Sequence, residues 1–228
     1  MDDIVGRLKS LFPENQLQLI LGSLMGDAHL ECRSKSIRAK HTARLRIHQS
    51  HRQRNYVFWK YEMLKNLVSK GPRLIKAGYD KSRKRIDYSW YFHTKTTEEL
   101  GLIHKISYKN KIKIVPKDLL KIINPLGLAV WYMDDGSNNG SNITLNTHSF
   151  SVNEQELIKN LLMAKFGIKT TLTKDRDKFK IAIGVQEYDK FLTIVKPYII
   201  PSMNYKINYK ILSPRKDLFD KIKQVAII

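Results

Sequence analysis

Two acidic residues close two apolar stretches of this chain. In the first, Leu17, Ile20, Leu21, Leu24 and Met25 recur at three- and four-residue steps and run into Gly26-Asp27. The second begins near Pro125 and ends in Asp134-Asp135-Gly136. Such periodicity predicts two helices, each delivering a carboxylate at its C-terminal end. The helix dipole disfavours an acid there and favours a cation, so two such carboxylates brought together would suit divalent metal ions. Gly22 and Gly26, one turn apart, strip one stripe of the first helix of side chains and permit close approach of a partner. If the two helices pack about a pseudo-twofold axis, Asp27 and Asp135 meet. The plainer reading, two ordinary helix-terminal acids, runs against the dipole.

The elements that must position these acids read twice. After the first helix, Ala43-Arg44-Leu45-Arg46-Ile47-His48 alternates like a half-buried strand. Residues 56–68 return to helical spacing until Gly71-Pro72 breaks it. Strands over 73–79 and 87–93 flank a polar turn at 80–85, and a helix spans 96–106. The order then restarts: helix 125–134, strand 143–150, helix 153–166, strands 168–173 and 179–183, helix 186–195. The apolar run Pro197-Tyr198-Ile199-Ile200-Pro201 echoes Ile112-Lys113-Ile114-Val115-Pro116. A repeat of roughly a hundred residues exceeds any solenoid unit and predicts domain duplication, with halves at residues 1–123 and 124–228.

Composition points to a polyanion. The chain has 228 residues, 42% hydrophobic, with 41 Lys and Arg against 21 Asp and Glu, a formal charge of +20. That length and apolar content can bury a core, and the charge self-repels unless nucleic acid neutralises it. Phosphate attraction is independent of sequence, so an RNA-coating protein fits the charge equally well. No apolar run approaches the ~20 residues needed to span a bilayer, and no signal-peptide core is seen; a soluble, unsecreted protein without membrane contact is expected. Cys32 is the single cysteine, which excludes an intramolecular disulfide and a thiolate cluster and suits a reducing compartment. The seven histidines show no H-x-E or H-E-x-x-H spacing, so histidine metal sites rank low. His41, His48 and His51 are expected to face ligand or solvent.

Ile20-Leu21-Gly22-Ser23-Leu24-Met25-Gly26-Asp27-Ala28 and Leu128-Ala129-Val130-Trp131-Tyr132-Met133-Asp134-Asp135-Gly136 resemble the two motifs of single-chain, two-repeat LAGLIDADG homing endonucleases. Residues 145–150 and 196–206 also resemble segments of family members, and the likeness covers about residues 16–207. The first motif departs from the family pattern at Ser23, Met25 and Ala28, and the second at Val130-Trp131; these changes bear on helix packing, not on the acids.

The resemblance implies an α+β fold of two pseudo-symmetric αββαββ repeats, a central helix pair and β-sheet saddles over duplex DNA. It implies a site-specific double-strand break by metal-dependent phosphodiester hydrolysis, promoting intron mobility, by a monomer with internal pseudo-twofold symmetry. Asp27 and Asp135 would hold Mg2+, with Gly26 and Asp134 beside them; Asp134 could equally sit at the helix interface. Mn2+ or Ca2+ could substitute in binding. One basic residue per half would flank the metals: Lys206, and either Lys113 or Lys111, with the spacing to Val115-Pro116 favouring Lys113. The 31–54 stretch carries eight Lys or Arg and one acid; Arg33, Lys35, Arg38, Lys40, Arg44, Arg46 and His48 would contact phosphates and read bases. Lys81, Arg83, Arg85, Asn146, His148 and Lys174 would extend that surface. A solvated charged face is the bland alternative. An intron RNA maturase or a DNA-binding regulator could use the same scaffold without cutting. An organelle, mitochondrion or chloroplast, or a microbial cytoplasm is the expected setting.

Overall fold

The computed structural model describes residues 2–32, 40–82 and 84–208; of Asp2, Asp3 and Arg85 only the backbone is described. The expected DNA contacts Arg33, Lys35, Arg38 and Arg83, and the Arg85 side chain, therefore lie outside the described residues. A helix that the sequence pattern did not single out, α1 (Asp2–Leu11), precedes the first motif helix, α2 (Glu14–Met25). The first sheet follows as β1 (His29–Cys32), β2 (Ala43–Ser50), β3 (Arg73–Asp80) and β4 (Arg85–His93), with α3 (Arg54–Met63) between its strand pairs and α4 (Glu98–Ser107) after them. A short hairpin, β5 (Tyr108–Lys109) and β6 (Ile112–Lys113), and a helical turn, α5 (Lys117–Leu120), lead to the second motif helix, α6 (Pro125–Asp135). The second half repeats the plan as β7 (Gly136–Asn138), β8 (Ile143–Leu145), α7 (Val152–Phe166), β9 (Thr171–Asp175), β10 (Lys178–Ile183) and α8 (Val185–Val195).

Both four-stranded sheets are antiparallel, ordered β1-β2-β4-β3 and β7-β8-β10-β9. The same order in each half confirms the duplicated αββαββ architecture. The halves differ in strand length. β2 runs eight residues with alternate burial, whereas β8 stops after three, not at Phe150 as the alternation suggested. Thr147 to Phe150 turn instead, with the Phe150 amide donating to the Thr147 carbonyl at 3.0 Å. The helix expected over 56–68 ends at Met63 and passes into a 3-10 turn at Lys65–Leu67. The apolar 197–201 run is held by 3-10 turns.

Local chemistry explains the boundaries that matter for the site. Asn124 caps α6 by accepting the Gly127 amide at 3.1 Å, with Pro125 at the first helical position, where its missing N–H costs nothing. Ser151 and Glu154 form a capping box on α7, and Gly167 ends it with φ +64°, the left-handed geometry glycine takes without strain. Every residue from Leu17 to Met25 and from Leu126 to Asp134 is buried. A helix buried all round belongs at the centre of a molecule, and one apolar core joins both halves around this pair.

α2 and α6 pack backbone to backbone. A Cβ on Gly22 would stand 2.3 Å from the Gly127 carbonyl oxygen and 2.7 Å from Val130 Cβ, and one on Gly26 would stand 2.4 Å from Asp134 Cβ. Gln18 clamps the other end, donating to the Ile122 carbonyl and accepting the Asn124 amide, both at 2.8 Å.

Candidate nuclease centre

The paired helices deliver their acids to one place. Asp27 follows α2 and is exposed, Asp134 is buried, and Asp135, the last residue of α6, is intermediate. Gln49, near the end of β2, joins the two motifs: its amide nitrogen donates to Asp27 Oδ2 at 2.9 Å and to Asp134 Oδ1 at 3.2 Å. Burial first, then the charges of Asp27 and Asp134, push the Asp135 carboxyl up to about 6 against the pull of Lys113 and Lys206.

Asp134 is engaged elsewhere. Lys60 of α3 donates to both of its oxygens, at 2.7 and 2.8 Å, and lies 4.5 Å from the centroid of the Tyr56 ring. Burial pushes the Asp134 carboxyl up, and Lys60 opposes that shift. Sequence reasoning missed both Gln49 and Lys60.

The two lysines occupy related positions. In the β5–β6 hairpin, Asn110 and Lys111 take positive φ, 50° and 67°, as a tight two-residue turn requires. Lys111 is thus at the exposed tip, while Lys113 turns inward and donates to the carbonyls of Leu24 and Gly26 at 2.9 Å and of Ala28 at 3.4 Å. A cation on the last carbonyls of α2 is also favoured by the dipole. Lys206 donates to the Gly136 carbonyl at 2.5 Å. Ala28 and Gly136 each directly follow their half's aspartate, so each lysine reaches the same carbonyl of its own half. Burial pulls both ammonium groups down, and the nearby aspartates oppose this.

An open groove of about 530 Å3 leads away from Asp27, past His48, Gln49 and His51, to Asp87 and Tyr88 of the sheet. The expected DNA contacts divide around it. Arg44 pairs with Glu31 at 2.5 Å, and Arg46 approaches the same acid at 3.4 Å while lying 5.7 Å from the centroid of the Tyr91 ring. Lys40 pairs with Glu98 at 2.6 Å. Burial, with Arg46 and His29, pulls the His48 ring down, and its Nε2 is buried without a hydrogen-bond partner. Lys81 and Lys174 are exposed, and Asn146 is half-buried. His148 and Lys180 both meet Asp175, at 3.2 and 2.8 Å. Thr147, two residues past the end of β8, donates its hydroxyl to Gln155 and accepts the Ile181 amide, both at 3.2 Å.

A second cluster, which no histidine spacing signalled, gathers around the half-buried His41. Cys32, His41 and His104 each offer a ligand atom within 4.8 Å of the others, an arrangement capable of holding a metal ion.

A model of the LAGLIDADG DNA endonuclease family matches residues 17–191, and the chain belongs to this family. It is 34% identical over 207 residues to the cytochrome b mRNA maturase bI2 of Saccharomyces cerevisiae, covering 86% of this chain and 48% of that protein. The chain thus spans about half of that relative's length. It is 29% identical over 211 residues to the DNA endonuclease I-ChuI of Chlamydomonas applanata, covering 86% of this chain and 95% of that one. The structure of the homing endonuclease I-WcaI bound to its DNA recognition sequence shares the fold, with TM-score 0.76 and 24% identity over 90% of this chain and 92% of that one.

Proposed function

We propose that the chain makes a double-strand break in a specific duplex DNA target, hydrolysing one phosphodiester in each strand and so promoting intron mobility. The observation that carries this reading is the convergence of Asp27 and Asp135 at the ends of the buried helix pair, each with a lysine on the carbonyl beside it. A single chain supplies both halves, so a monomer suffices. Exposed cations on the sheets, including Lys81 and Lys174, would meet phosphates and bases.

The donor set fits Mg2+. Asp27 and Asp135 offer carboxylate oxygens without sulfur or imidazole, and Mg2+ takes few carboxylates and keeps water and phosphate oxygens. Burial first, and then the charges of Asp27 and Asp134, raise Asp135 to about 6, and a divalent cation would offset the charge part of that shift; Mn2+ and Ca2+ would use the same oxygens. When bound, the ion lowers the pKa of water and offsets charge on the phosphate. Gln49 holds the Asp27 carboxylate in one orientation. Lys113 and Lys206 stand ready to polarise water or to stabilise charge growing on the phosphate oxygens. Asp134, saturated by Lys60 and Gln49, anchors the helix pair in this proposal, and the Gly26 carbonyl is shared with Lys113.

A second reading, splicing of intron RNA, is favoured by the similarity to the cytochrome b mRNA maturase, which also supports an organellar or microbial setting. Incubating the chain with duplex DNA spanning an intron insertion site, in Mg2+ and in EDTA, separates the two. Scission at one site, in Mg2+ alone, is expected; intron RNA binding with no scission under any condition would favour the maturase.

A further inference from the structure

The Cys32, His41 and His104 cluster lies apart from the acids. Cys32 closes β1, five residues beyond Asp27, which at ~3.3 Å per extended residue places it up to about 16 Å along the chain from the candidate nuclease centre. Its donors are sulfur and imidazole, the set that selects late transition ions over Mg2+.

The geometry is compact. His41 Nε2 lies 3.8 Å from Cys32 Sγ and 3.0 Å from His104 Nδ1. Around a tetrahedral zinc with bonds of ~2.3 Å to sulfur and ~2.0 Å to nitrogen, such pairs stand roughly 3.3–3.6 Å apart. For the two pairs that involve His41, shifts of a few tenths of an ångström reach those distances, and the third pair lies within 4.8 Å. The three residues sit on elements already locked together. Thr97, the cap of α4, exchanges backbone hydrogen bonds with Ala43 at 3.0 and 2.9 Å. Gly101 of α4 presses so closely on the chain at His41 that a Cβ would stand 1.9 Å from the His41 carbonyl oxygen. His104 is oriented by the Tyr108 ring, stacked at 4.5 Å and 3°, and the Tyr108 hydroxyl is itself held by the Leu30 amide at 2.9 Å. Such outer contacts fix ligand orientation at metal sites. Burial, followed by Lys105 at His41 and by His41 at His104, pulls both rings down.

We propose that Cys32, His41 and His104 bind one zinc-class ion through Cys32 Sγ, His41 Nε2 and His104 Nδ1, with water in the fourth position. The Cys32 thiol releases its proton to solvent on coordination. Cys32 and His41 bracket the basic 33–40 segment, so the ion ties both ends of that segment to α4. The site stands independently of strand scission.

Because Cys32 is the only cysteine, its thiol reports this site alone. The metal-stripped full chain is treated with iodoacetamide in Zn2+, in Mg2+ or without metal, and Co2+ is titrated spectroscopically. Zn2+ is expected to slow alkylation tenfold or more while Mg2+ does not, and Co2+ to give a thiolate-to-cobalt band that saturates at one cobalt per Cys32, whatever cobalt the aspartates also take. His104→Gln should weaken the Co2+ affinity read from this band at least tenfold, and Asp27→Asn, which alters only the carboxylate centre, should leave the band unchanged. Equal alkylation rates with and without Zn2+, or a cobalt band indifferent to His104→Gln, would overturn the proposal. The alkylation arm uses the unaltered chain, so a variant that fails to fold does not remove the test.

Discussion

Lys60 and Asp134 form an ion pair closed to solvent on both sides: the ammonium lies 2.7 Å from the carboxylate, and neither side chain has exposed area. The pair joins α3 of the first half to the motif helix of the second, and Gln49 extends it to Asp27. Breaking one partner of a buried pair strands the other charge. Lys60→Met is expected to cost about 3–5 kcal/mol of stability, read by denaturant unfolding. Combining it with Asp134→Leu should restore most of the loss; a single variant as stable as the parent would deny the pair its anchoring role.

The Asp135 carboxyl, raised to about 6 from its ordinary 3.8, binds a proton more readily folded than unfolded. Its contribution therefore favours the fold at low pH and is lost as pH rises from about 4 through about 6. Without metal, Asp135→Asn should melt above the parent at pH 7, and the gap should close towards pH 4. Mg2+ should raise the melting temperature of the parent at pH 7 more than that of the variant. Thermal melts across this range test the sign, and a gap widening at low pH would reverse it.

Gly22→Ala places a methyl 2.3 Å from the Gly127 carbonyl oxygen. Both contact surfaces are buried helix backbone, so the helices must part. A loss of about 1–3 kcal/mol is expected, as for overpacked cores. Gly6→Ala, where a Cβ meets nothing within 4 Å, is the control; equal effects would remove the close approach as the cause.

Lys113→Gln removes a charge that sits on the end of α2 and faces both aspartates. Strand scission should fall roughly 10²–10³-fold, the scale of losing one transition-state donor, while duplex binding changes little. Lys111→Gln, at the exposed turn, should leave scission near the parent value. Single-turnover cleavage with a parallel binding assay distinguishes them, and equal losses would contradict the inward placement of Lys113.

What the sequence reveals of this molecule follows its periodicities. The motif helices, the Gly71-Pro72 break and the hairpin flanking residues 80–85 show in apolar spacing and turn residues, because local chemistry fixes them. β1 and β7 were not legible: they are four and three residues long, too short for alternation to register. Lys60 reads as a surface lysine on an aromatic-rich helix, although it stands four residues from the buried Tyr56 and four before the buried Leu64. A lysine on an apolar face was the available signal, and its partner Asp134 lies 74 residues away. Between Lys111 and Lys113 the sequence offered only the spacing to Val115-Pro116, which favours Lys113; the turn at Asn110 and Lys111 places Lys111 outside and Lys113 inside. Cys32, His41 and His104 escaped because their ligands come from a strand, a loop and a helix, with no spacing rule to join them.

The central claim is that each half donates one indispensable aspartate to a joint metal-dependent centre. It is tested most directly by single-turnover cleavage of the duplex target in Mg2+ by the parent, Asp27→Asn and Asp135→Asn, with duplex affinity measured alongside. Loss of double-strand scission in both variants, with affinity retained within a few-fold, is the predicted result. Full double-strand scission by either variant would contradict it.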